Sequence, residues 1–301
     1  MNNLVSNAIA LLFFVLITCS CVDNINPDTC KTDGINIQIG SSVSITKNEI
    51  EYYDHSAHYA YLKDGVRLDA KSLKNSKFWV MCGEESIYEG IAFCSYADSI
   101  GINDLGIRYE NNPEQFVQIS NIMTFQQIYE QEYDPRNDER IIQVLKDEGL
   151  YHPGLTCAID TIIRESAGKV VLKLRLSNTD SFNYYFLDPD KMNFQQYHYF
   201  TNGLSLYQWE PFSSYRNNVK AIVPEMYCCY GEDWISLLKS GETKIITITY
   251  DQFDDFPPGT YCAVFRFHGE MLKLTDENSN LLDLGKVWLG DIELAQRITI
   301  K

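Results

Sequence analysis

From about residue 35 onward, short runs of alternating apolar and polar residues recur, separated by clusters of Gly, Asn, Asp and Ser. A period of two places every second side chain on one face, the pattern of half-buried β-strands. Ile35–Ile39, Val43–Thr46, Ile50–Tyr53, Tyr59–Leu62, Phe78–Cys82 and Ile87–Phe93 read as strands of a first body running from about Cys30 to Gln131, a sandwich or barrel-like sheet. One helix follows. Asn137 is a good N-cap, Asp138 and Glu139 occupy the first turn where the helix dipole favours them, and Ile141, Ile142, Val144 and Leu145 form an apolar face. Gly149 is a natural stop, and the helix is expected to end near Tyr151, before a junction at Pro153-Gly154.

The remainder is a second β body. Val170–Leu176 alternates with Lys173 and Arg175 outward and Leu172, Leu174 and Leu176 inward. Leu155–Ile163, Asn183–Leu187, Leu204–Trp209, Lys244–Tyr250, Thr260–Phe267, Val287–Leu289 and Ile292–Thr299 complete the expected strands. Here a strand ending in Asn is followed by a long middle, Leu-x-x-Gly-Glu (Leu238 to Glu242), a strand, and Pro-Gly-Thr-Tyr (Pro258 to Tyr261) opening another. This order, with Val287-Trp288-Leu289-Gly290 before the last strand, resembles bacterial immunoglobulin-like domains of extracytoplasmic lipoproteins and of a proteinase-inhibitor family. The resemblance implies a β-sandwich, with Tyr261 as a tyrosine corner whose hydroxyl bonds to upstream backbone. The middle, Met192–Trp234, is longer than seven strands need. The expected fold class is all-β: two β-rich domains, the second an immunoglobulin-like sandwich, with one short helix between them. The segments are 1–20 signal peptide, 21–30 tether, 31–135 first domain, 136–154 helix and linker, and 155–301 second domain.

Ala8–Ile17 breaks the alternation, being apolar throughout. Ten residues rise only about 15 Å as a helix, too short for a bilayer and right for the apolar region of a signal peptide. Thr18-Cys19-Ser20-Cys21 follows directly and resembles the lipobox of bacterial lipoproteins. That resemblance implies acylation, palmitate included, at Cys21, with Cys19 as the alternative. It also implies anchorage in the cell envelope, at the outer membrane, facing the periplasm or the surface.

Net charge is −16, which repels phosphate backbones and excludes nucleic acid as the expected partner. If Cys21 is acylated and Cys19 removed, seven of nine cysteines remain, an odd number for an oxidising compartment. Cys82 and Cys94 sit on two arms of a hairpin turning at Gly83–Ser86. Cys82 then faces about Ile87 and Cys94 about Asn75, beyond disulfide reach of each other.

Candidate chemistry is sparse. Asp54, His55 and His58 are the candidate metal ligands, since imidazole and carboxylate suit a transition metal, although the spacing fits no known ligand pattern. Asp251, Asp254 and Asp255, and Asp188 with Asp190, are loop carboxylates of the kind that can hold calcium. No catalytic motif is present and no cofactor is expected. Phe200, Phe212, Tyr227 and Tyr230 crowd the middle of the second body together with Tyr197, Tyr199, Tyr207, Trp209 and Tyr215, and the last five are the candidate binding residues. The expectation is a lipid-anchored, non-enzymatic module that binds protein or glycan. The alternatives are an immunoglobulin-like proteinase inhibitor and a metal-dependent hydrolase.

Overall fold

A computed structural model of the chain describes residues 34–66, 68, 75–94, 105–111, 115–121, 133–209, 211–223, 232–269, 281 and 283–301. Cys19, Cys21, the tether and Cys30 lie outside the described residues, as do Tyr227, Cys228, Cys229 and Tyr230. The fold is all-β, with two α-helices among the described residues.

The first strands are β1 (Ile35–Ile39), β2 (Val43–Thr46), β3 (Ile50–Asp54), β4 (Tyr59–Leu62), β5 (Lys77–Cys82), β6 (Glu85–Cys94), β7 (Leu105–Asn111), β8 (Gln115–Asn121) and β9 (Tyr151–His152). They form one sheet in the order β2-β1-β5-β6-β7-β8-β4-β3-β9. In a flat sheet β1 and β3 would stand six spacings apart, about 29 Å. Yet Ile35, Ile37 and Ile39 of β1 share one buried cluster with Ile50 and Tyr53 of β3, so the sheet folds over on itself. Helix α1 (Glu139–Asp147) adds Ile141, Val144 and Leu145 to that cluster. Its cap is Asp138, whose side chain accepts from the Arg140 amide; the expected cap, Asn137, instead ends a 3-10 turn over Pro135–Asn137. The helix stops at Asp147 rather than near Tyr151, and Gly149 takes the left-handed conformation that ends it.

The remaining strands are β10 (Leu155–Ser166), β11 (Lys169–Asn178), β12 (Tyr184–Leu187), β13 (Ser205–Trp209), β14 (Phe212–Arg216), β15 (Ile235–Leu238), β16 (Thr243–Tyr250), β17 (Gly259–His268), β18 (Lys286–Val287) and β19 (Asp291–Ile300). One sheet runs β10-β11-β16, another β14-β13-β17-β19, and a short third β15-β12-β18. The first two divide their strands as A-B-E and C′-C-F-G are divided in immunoglobulin-like sandwiches. Leu172, Leu174 and Leu176 of β11 meet Leu206 of β13 and Ala263 and Phe265 of β17 in one core. The Tyr261 hydroxyl donates to the Pro257 carbonyl at the start of β17, as a tyrosine corner does.

The long middle folds partly as helix α2 (Phe194–Thr201). Asn193 caps it by accepting from the Gln195 amide, and Asn202 ends it in the left-handed region. Tyr197 and Phe200 on this helix are core residues.

Candidate functional site

The five candidate binding residues do not share one surface. Tyr197 is 1% exposed and packs in the sandwich core, because its position on α2 faces inward. Tyr215 also points inward, opposite Leu206, with its ring against Phe256 and Tyr261. Tyr197 is thus closed to solvent, while Tyr215 is half-buried with its ring turned inward. Tyr199 is exposed on α2, with its ring edge-on to Phe200.

Tyr207 and Trp209 belong together. In an antiparallel ladder, residues directly opposite point to the same side. Trp209 faces Phe212, Tyr207 faces Ser214, and Ser205 faces Arg216. Leu206 is fully buried on the inner side, so these six side chains project from the outer face. The ladder continues across the sheet through Cys262 and Arg297 in one row and Val264 and Ala295 in the next. Trp209 is 39% and Phe212 66% exposed, and their ring centroids stand 6.0 Å apart at the hairpin tip. Phe212 was not among the five candidates; its pairing with Trp209 across a two-residue turn is the signal that identifies it.

The histidine cluster does not assemble into a metal site. Among the described residues no group of three His, Cys, Asp or Glu side chains could hold a metal ion. The reason is strand geometry and prior commitment. Asp54 turns toward the second core, where Oδ1 accepts from the Ser56 amide at 2.9 Å and its hydroxyl at 2.7 Å. His55 packs instead against His58 and Tyr151, and His58 Nδ1 lies 2.9 Å from the Tyr53 hydroxyl. Burial lowers the pKa of both histidines. The acidic loops are committed likewise. Asp188 pairs with Lys244 at 2.6 Å, and Asp190 lies 3.4 Å from the same ammonium. Asp255 pairs with Arg164, and Asp254 accepts from the Arg216 amide and the Asn218 side chain.

Asp54 opens onto a polar joint that no local pattern announces. The Ser56 hydroxyl, which donates to Asp54, accepts from the Leu155 amide at 3.2 Å and from Trp288 Nε1 at 2.9 Å. Its three hydrogen-bonding positions are thus used inside the protein and no imidazole is among the partners, so it is not set up as a nucleophile. Beside it Asp180 accepts from the Gly154 amide at 3.1 Å and the Tyr184 hydroxyl at 2.7 Å, and lies 2.7 Å from His152 Nδ1. These donors hold the Asp180 pKa down at about 2, against the opposing effect of burial. Asp54, 1% exposed and with Oδ2 unpartnered, is pushed up to about 6 by burial.

Cys82 is disulfide-bonded. It faces Glu85 rather than Ile87, because the hairpin turns tightly at Gly83-Glu84. Cys94 is then nine residues along the strand, about 30 Å away, so the two are not partners. Cys157 and Cys262 are free thiols, and burial pushes them up to about 12 and about 11.

Comparison of the chain with protein-family models, with known proteins and with solved structures returns no match.

Proposed function

We propose that the chain is a lipid-anchored cell-envelope protein whose second β unit binds protein or glycan without catalysing a reaction. The observation that carries this reading is the outer face of the β13–β14 hairpin, where Trp209 and Phe212 stand side by side in solvent. Large aromatic rings bury area at small entropic cost when a partner covers them, and they dominate many recognition surfaces. The disulfide at Cys82 supports an oxidising compartment, in keeping with export. The lipobox at Cys21, or Cys19, supplies the anchor.

The test is an array of glycans and purified extracellular proteins probed with the parent and with a Trp209→Ala/Phe212→Ala variant. The expected result is binding by the parent that the variant loses while its unfolding temperature is unchanged. Binding that survives both substitutions overturns the assignment. Separately, acyl-chain labelling in the producing cell should disappear in Cys21→Ser.

A further inference from the structure

We propose that the outer face of the β14-β13-β17-β19 sheet binds an anionic polysaccharide, with acid groups meeting Arg216 and Arg297 and sugar rings stacking on Trp209 and Phe212. The inference rests on that face being the binding surface and adds the class of ligand.

The argument starts from ion pairing. Arg136, Arg140, Arg164, Arg175 and Arg266 each stand within ion-pair distance of a carboxylate. Arg216 and Arg297 have no such partner among the described residues, and both are exposed. The chain holds 41 acidic residues against 25 basic ones, so carboxylates to pair with are plentiful. Two uncommitted guanidiniums on one sheet face make that face locally favourable to an anion within a molecule that repels anions elsewhere. Two of the neighbouring acids are engaged. Asp254 uses its carboxylate on the Arg216 amide and Asn218, and Asp291 pairs with Arg266. Glu293, exposed on the same face, lies on β19 opposite Arg266, as far along the strand from the Arg216 row as Arg297 is, on the other side of it.

The spacing follows from the register. Arg216 lies in the row of Ser205, Val264 and Ala295, and Arg297 in the row of Ser214, Tyr207 and Cys262. Three strand spacings across and two residues along put the two arginines about 16 Å apart at Cα. The positions between them carry the small side chains of Ser205, Cys262 and Val264, with Tyr207 the larger one beside them, so the field offers no deep pocket. A globular partner needs roughly 800 Å² a side with buried anchors at its centre, and here the aromatic pair sits at one corner. A linear polymer with flat ring faces and repeated acid groups can meet both the corner and the distant arginine. Guanidinium takes carboxylate or sulfate equally well through its paired N–H groups.

The experiment is affinity electrophoresis of the full exported protein in native gels containing polygalacturonate, chondroitin sulfate or the neutral glucan pullulan. The expected result is retardation by at least one anionic polymer, against the repulsion of like net charge, weakening as salt rises. Arg216→Gln/Arg297→Gln should weaken it roughly tenfold or more, and Trp209→Ala/Phe212→Ala should weaken it as well, with unfolding temperatures unchanged. Retardation by neither anionic polymer, or retardation indifferent to the arginine pair, overturns the proposal. Retardation in pullulan that needs the aromatic pair but not the arginines also overturns it, while the binding face itself stands. If the aromatic pair matters for no polymer and for nothing on the array, the binding face fails too. Binding of an acidic protein, or self-association without polymer, that depends on the same arginines would move the face to a different occupant and overturn the polysaccharide.

Discussion

Replacing Asp54 with asparagine tests whether the buried joint is costly in its charged form. Asp54 has an ordinary pKa of 3.8 that burial raises to about 6, so the folded protein holds the proton more tightly than the unfolded chain. The stability carried by the protonated carboxyl is therefore fully present below the ordinary value and is lost as pH rises through about 6. At about 1.4 kcal/mol for each pH unit between the two values, the charged group costs the folded state about 3 kcal/mol at alkaline pH. Asparagine keeps the oxygen that accepts from the Ser56 amide and hydroxyl, and it cannot ionise. It also places an amide where Oδ2 has no partner, at a pH-independent cost of about 1–3 kcal/mol. The sign of the difference at any one pH is thus set by two opposed effects, but its pH dependence is not. Between about pH 8 and about pH 5 the stability of the variant relative to the parent should fall by about 1.5 kcal/mol, read from urea unfolding at each pH. Asp180 contributes oppositely, stabilising above its ordinary value and losing that contribution as pH falls toward about 2; it is common to both proteins and cancels. A difference that stays constant over this range refutes the argument that Asp54 is buried against its charge.

Gly154→Ala should destabilise by about 3 kcal/mol or more, measured by chemical unfolding, because an added Cβ would stand 2.2 Å from both Asp54 Oδ1 and the Ser56 hydroxyl oxygen at a positive φ. In native thiol labelling at neutral pH, Cys157 and Cys262 should react far more slowly than in denaturant, since Cys157 is half-buried against the core, Cys262 is buried among its neighbours on the sheet, and burial raises their pKa to about 12 and about 11; rapid modification in the native protein would contradict that burial.

Much of the architecture is legible because it depends on alternation. Ile35–Ile39, Val43–Thr46 and Tyr59–Leu62 have the same ends in the sequence pattern and in the structure, and Val170–Leu176 is the centre of β11. Strand β14 escapes because Phe-Ser-Ser-Tyr-Arg sits at a sheet edge and alternates weakly; only its register against β13 shows which side chains face out. Helix α2 escapes because its aromatic residues are mediocre helix formers, and its one strong local signal is the Asn193 cap. The helix cap falls one residue from the expected position because Asn137 and Asp138 are both good caps, and the 3-10 turn takes the first. The binding face is half legible. Aromatic crowding points to the region, but separating Trp209 from Tyr215 requires knowing which side of the strand each occupies. The joint is illegible in principle, since Trp288 and Ser56 meet across 232 positions of chain.

That joint changes the meaning of the Pro153-Gly154 junction. A proline-glycine pair between two apolar clusters reads as a hinge, and hinges are solvated and loosely contacted. Here the backbone at Gly154 lies against Asp54 and Ser56, and its amide is held by Asp180. His152 stacks on Phe182 with ring centroids 3.9 Å apart, while Tyr52 packs edge-on against both. Apolar contacts alone would tolerate sliding, because they are not directional. The hydrogen bonds to Ser56 and Asp180 are directional, and displacing the halves would leave several buried polar groups unsatisfied at about 1–3 kcal/mol each. A purely apolar seam of the same area would hold the two halves together without fixing their angle. The polar joint fixes it, so the outer face of the β14-β13-β17-β19 sheet keeps one orientation relative to the first sheet.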